Sequence, residues 1–251
     1  MSIMRISLMT VLIAAAATGC THTPPKKASA LLGNTEPHTL PTGGGHTPAS
    51  ESASGDLPAK HSAALCLVMA EDLEKADKDA EAVAYYERAR ELDPAITERA
   101  GRRLAVLYDK IDQQAKAMTE YQELLKKHPK DAGLLNDLGY SYYNRGQWAE
   151  AESHLLRAVA ADKTSKRAWV NLGMTQAQLG RGVEAVASFE KAVSPAEAQA
   201  NLAFVLATRG DRDGALAAYR RALAMEPTLP VAQAAIMRLE QNGPAVTHPQ
   251  P

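Results

Sequence analysis

Cysteine, phenylalanine and tryptophan are almost missing from this chain of 251 residues, with two of each. So few thiols cannot build a disulfide framework, and aromatic residues at 5% leave the core to alanine, leucine and valine. Cys66 falls within a helical apolar pattern, which gives it a packing role. The net charge of −1 provides no electrostatic footprint for nucleic acid, and no basic stripe is interleaved with aromatics. The mostly apolar run at 6–17 is too short for a permanent membrane span, which needs about 20 residues. No His-Glu-x-x-His, Gly-x-Ser-x-Gly or phosphate-binding glycine loop occurs, and Gly43, Gly44 and Gly45 have no strand or helix pattern behind them. His61, His128 and His154 are scattered without nucleophile or ligand partners. The chain is therefore expected to use no catalytic residue, metal, cofactor, small-molecule substrate or nucleic acid.

What is present is a repeat. A small residue (Ala70, Ala105, Gly139, Gly173, Ala203) is followed by an alanine (Ala82, Ala117, Ala151, Ala185, Ala215) and then by a bulky residue (Tyr86, Tyr121, Leu155, Phe189, Tyr219). Successive alanines of this series are 35, 34, 34 and 30 residues apart. Within each unit apolar positions fall three and four apart, so each half reads as an amphipathic helix with one buried stripe. The small residues belong where paired helices approach most closely, and the bulky ones fill the gap to the next unit. A single pair cannot cover its own apolar face, so stability has to come from stacking.

Trp169, Leu172, Gly173, Ala185 and Phe189 resemble the W-x2-L-G and A-x3-F signature of the tetratricopeptide repeat, and Leu135, Leu138, Gly139, Tyr142, Gly146, Ala151 and Ala158 fit it in the preceding unit. The resemblance implies an all-α fold: a right-handed superhelical solenoid of about five helix pairs within 61–242, with units at 63–96, 98–131, 132–165, 166–195 and 196–229. Residues 230–241, with one wet side, read as a terminal capping helix. The fourth unit is short, and Ser194, Pro195 and Glu197 read as an N-cap, a first-turn proline and a capping-box glutamate that start the next helix early.

Residues 1–19 form a different segment. Arg5, the apolar run and the close Ala17-Thr18-Gly19-Cys20 resemble a bacterial lipoprotein signal, in which Cys20 becomes an acylated N-terminus. Acyl chains contribute about 0.8 kcal/mol per buried methylene, so Cys20 is expected to anchor the chain to a membrane. Thr21 after the cysteine points to the outer membrane, facing the periplasm. Residues 21–60 contain six Pro, five Gly, four Ser and six Thr and no aromatic residue. Such a stretch cannot bury enough apolar surface to fold, so 20–60 reads as the lipidated N-terminus with a flexible tether, spanning roughly 35 Å. Its His22, His38 and His46 have no metal-ligand spacing. The tail at 243–251 reads as equally unstructured.

In the resembled family the first helix of each unit lines a concave groove. The row Val106, Tyr140, Met174 and Phe204, with Tyr143 one turn from Tyr140, is expected to present contact area there to a peptide or helix of another protein. Asn136, Asn171 and Asn201 are expected to hydrogen-bond a bound backbone, and Arg99 and Arg102 to meet an acidic group on the partner. The resulting expectation is a lipid-anchored interaction scaffold at the bacterial cell envelope, resembling the small tetratricopeptide lipoproteins of the TadD type that assist pilus and secretion machinery. Two other readings stay open: an outer-membrane protein assembly component, which the long tether disfavours, and a soluble co-chaperone, which would require the N-terminal signal to be misread.

Overall fold

The computed structural model describes residues 58–241. The signal, Cys20, nearly all of the tether and the tail lie outside these residues. The described chain is entirely helical. Five helix pairs follow one another: α1 (Ala59–Lys75) with α2 (Asp79–Leu92), α3 (Thr97–Lys110) with α4 (Gln114–Lys127), α5 (Ala132–Asn144) with α6 (Trp148–Ala161), α7 (Lys166–Gln178) with α8 (Gly182–Phe189), and α9 (Pro195–Thr208) with α10 (Arg212–Met225). A last helix, α11 (Pro230–Gln241), closes the array, and a single 3-10 turn (Pro94–Ile96) joins α2 to α3.

Each hairpin turns in the same way. The residue that reverses the chain between first and second helix has positive φ in all five units: Asp77 at 55°, Asp112 at 65°, Gly146 at 74°, Gly180 at 83° and Gly210 at 84°. Their spacing repeats the 35, 34, 34 and 30 series of the alanines. Between units, side-chain oxygens cap the incoming helices. Asp131 accepts from the Leu134 N–H at 2.8 Å, and Ser194 with Glu197 forms the full reciprocal capping box that the sequence announces.

The alanines and bulky residues of the repeat make the core. Ala82, Ala117, Ala151, Ala185 and Ala215 are fully buried, as are Tyr86, Tyr121, Leu155, Phe189 and Tyr219. Four buried clusters run along the array and are joined by half-buried side chains that touch two of them: Leu125 and Tyr142 between the first and second, Tyr143 between the second and third, and Leu206 between the third and last. The result is a tetratricopeptide-like solenoid, stabilised unit against unit.

First helices also pack on one another in the order α3, α5, α7, α9, whereas second helices do not pack in this manner, which puts the first helices on the inner side of the stack. The fourth unit departs from the others. Helix α8 has 8 residues where α2, α4, α6 and α10 have 14, and the chain passes through a short turn to the Ser194 cap. As at the other inner seams, α7 and α9 lie directly against each other. The seam between units two and three is built differently: α4 touches α5 only lightly, and side-chain pairs bridge the gap. Arg145 lies 3.4 Å from Asp109 and also meets Ser141 and the sulfur of Met118.

Candidate protein-binding groove

The inner helices divide into a polar half and an apolar half. In the polar half, Arg99 pairs with Glu71 at 2.6 Å, Arg102 with Asp131 at 2.8 Å, and Arg103 with Glu74. The basic cluster expected to meet a partner's acidic group is thus already neutralised within the chain. Arg99 and Arg103 tie unit two to unit one, and Arg102 holds the residue that caps α5. Burial tends to raise the Asp131 carboxyl, but the hydrogen bonds from Arg102 and the Leu134 N–H outweigh it and hold the group below the usual carboxylate range. Asp109 and Asp137 go the other way: burial pushes both up, against the opposing effects of Ser141 and Arg145 on one and of Arg167 and Asn136 on the other.

Two of the expected asparagines are also consumed internally. Asn136 is 2% exposed and Asn171 9%. The Asn171 amide donates to Asn136 Oδ1 at 2.9 Å, and the Asn136 amide donates to Asp137 at 3.2 Å. They link α5 to α7 and present no free amide to a bound backbone, which corrects the sequence expectation. Asn201, on α9, remains half-buried.

The apolar row is also interrupted. Met174 is 4% exposed and packs with Phe189, Ala198, Leu202 and Val205, inside the stack rather than on the groove surface. Ala198, Leu202 and Val205 of α9 close over it. Val106, Tyr140 and Phe204 stay half-buried on α3, α5 and α9, and keep surface available. The Tyr140 and Tyr143 rings stack at 6.0 Å between centroids and 8° between planes. Tyr143 is more of a seam residue than a free contact. It tilts against Trp148 at 5.1 Å, accepts a hydrogen bond from Gln178 at 3.3 Å, and its hydroxyl is pushed up by burial.

Three neighbours of this row were not singled out from the sequence. Trp148 extends the Tyr140–Tyr143 pair, Gln178 fixes the Tyr143 hydroxyl, and Val170 packs beside Tyr143 and Phe204 around the same core. Only Val170 carried a legible signal, since it occupies an inward position of unit four. Among the described residues no group of three or more His, Cys, Asp or Glu side chains is placed to hold a metal ion, and no helix is long and apolar enough to cross a membrane.

This geometry, with half-exposed aromatic and aliphatic side chains on the inner helices of a stacked array, defines a helical-repeat scaffold for protein–protein contact. Models of the tetratricopeptide repeat match residues 103–166, 136–201 and 196–225, and the helix pairs have the arrangement of that repeat. Solved structures agree on the fold. A tetratricopeptide repeat protein from Parabacteroides merdae is 16% identical with a TM-score of 0.56, covering 72% of this chain and 73% of its own. TTC0263 of Thermus thermophilus is 22% identical with a TM-score of 0.53, over 71% and 99%. The pilF protein of Pseudomonas aeruginosa is 19% identical with a TM-score of 0.53, over 73% and 92%. No curated protein matches this chain.

Proposed function

We propose that the protein is a lipid-anchored scaffold at the bacterial cell envelope, which holds a peptide or helix of another protein in its groove and supports assembly of a pilus or secretion machine of the kind served by TadD-type lipoproteins. The observation that carries the groove reading is the surviving surface of Val106, Tyr140 and Phe204 on the inner helices, beside amides and arginines already engaged within the chain. A partner meeting this face gains apolar and aromatic contact, at modest entropic cost for rigid rings. It gains little from the ion pairs. The anchor reading rests on the sequence from Arg5 to Cys20, and the machine served rests on the resemblance in size, leader and unit number.

The groove is tested by Tyr140→Ser with Phe204→Ser, leaving the buried Met174 untouched. Photocrosslinking from Val106 in intact cells is expected to capture one dominant protein, and the double variant, crosslinked from the same position, to lose that product while retaining wild-type helical circular dichroism. Retained capture would overturn the groove. For the anchor, Cys20→Ser is expected to release the protein from the membrane fraction, and globomycin to accumulate its precursor. A membrane fraction unchanged by both treatments would exclude lipidation at Cys20.

A further inference from the structure

The outer face of α1 has no partner helix among the described residues, although it carries three of the exposed large apolar side chains within about one turn. Leu65 and Val68 are each 54% exposed and Met69 is 39% exposed. At 3.6 residues per turn, His61, Leu65, Val68, Asp72 and Lys75 share this face, flanked by Ala64 and Met69. The other sides of α1 are in use. Ala63, Leu67 and Ala70 are buried, with α2 packed closely against the helix, while Glu71 and Glu74 pair with Arg99 and Arg103 of α3.

We infer that this face binds the same face of a second copy, with the two α1 helices antiparallel across a two-fold axis between Cys66 and Leu67. The pattern is self-complementary about that point. Leu65 meets Val68 of the partner subunit, and the small Ala64 makes room for Met69 of the partner subunit. His61 meets Asp72 of the partner subunit, which places an imidazole against a carboxylate at each end of the apolar centre. An isologous contact repeats every such pairing twice. Shifting the axis by one residue to either side breaks the match, since Leu65 then comes level with Ala70 or Cys66, and His61 with Glu74 or the buried Ala70. The existing Lys75–Asp72 pair, at 2.9 Å between two well-exposed side chains, is weak enough in water to leave Asp72 available. The dimer uses none of the groove residues, so it stands apart from the proposed function.

One helix against another is a small interface, and its affinity is expected in the micromolar range. Sedimentation equilibrium of the full chain in a density-matched detergent is expected to show a monomer–dimer equilibrium. Val68→Glu places a charge at the apolar centre and should weaken association by roughly tenfold or more. His61→Glu sets carboxylate against carboxylate and should weaken it too, while His61→Glu with Asp72→Lys restores the opposite-charge pairing and the association. All variants alter exposed positions, so circular dichroism should be unchanged. A chain that remains monomeric throughout, whatever covers the face, overturns the proposal. So does a dimer indifferent to Val68→Glu, or a charge pair whose second change fails to rescue the first.

Discussion

At Gly173 the two helices of unit four meet so closely that an added Cβ would lie 2.7 Å from Phe189 Cδ1 and 3.0 Å from the Ala185 carbonyl oxygen. The phenyl ring has no free space to retreat into, so Gly173→Ala is expected to lower stability by about 1–3 kcal/mol in urea unfolding followed by circular dichroism. Gly180 is a contrasting case. Nothing lies within 4 Å of its hypothetical Cβ, but its φ is +83°. Gly180→Ala should therefore cost about 1–2 kcal/mol from backbone strain alone. His154 sits in a partly buried site, stacked 5.4 Å from the Tyr142 ring with Nδ1 unpaired. Burial first, then the Arg157 charge, hold its ionisation below the ordinary histidine range. A depressed value favours the neutral ring in the fold, so this contribution is present above the unfolded value, near pH 6.5, and fades as pH falls below it. His154→Phe should flatten the acid-side loss of melting temperature, compared with wild type between about pH 6.5 and 5.

At the scale of the element, the sequence announces most of what forms. The alanine and aromatic series locates the buried stripe of every helix, and Ser194, Pro195 and Glu197 locate the start of α9, because caps and close contacts are written in local residue types. Ser194→Ala is expected to remove about 1 kcal/mol by leaving the Glu197 N–H without its acceptor, measurable as a lower urea midpoint. The groove was less legible. Met174 has the right position in its helix and the wrong neighbour: Ala198, Leu202 and Val205 of α9, more than twenty residues on, cover it, and no residue near Met174 in sequence announces them. Asn136 and Asn171 read as free amides until α5 and α7 bring them within 2.9 Å. Arg99 and Arg102 looked unpaired because Glu71 and Asp131 lie about thirty residues away in sequence, one unit removed in space.

Across the whole array, the units are joined by unequal means. All the seams have buried apolar contact, but at the seam of units two and three, where α4 touches α5 only lightly, the Asp109–Arg145 pair is added, with side chains only 18% and 14% exposed. Removing one partner leaves a charge in a sparsely hydrated site, so Arg145→Met is expected to cost about 3 kcal/mol. Amide hydrogen exchange should speed up first in α4 and α5, and acceleration spread evenly over all helices would contradict this. The light approach of α4 to α5 leaves more of this junction to side chains than the close helix packing at the others does. One block of two units and one of three with the closing helix meet there: Leu134 and Leu138 of α5 enter the buried cluster of the first block, while Arg145 adds directional polar bonds across the same seam. In the proposed groove a guest lying along Val106 and Tyr140 would cross this seam, so its grip would depend on how firmly α5 is held against the first two units.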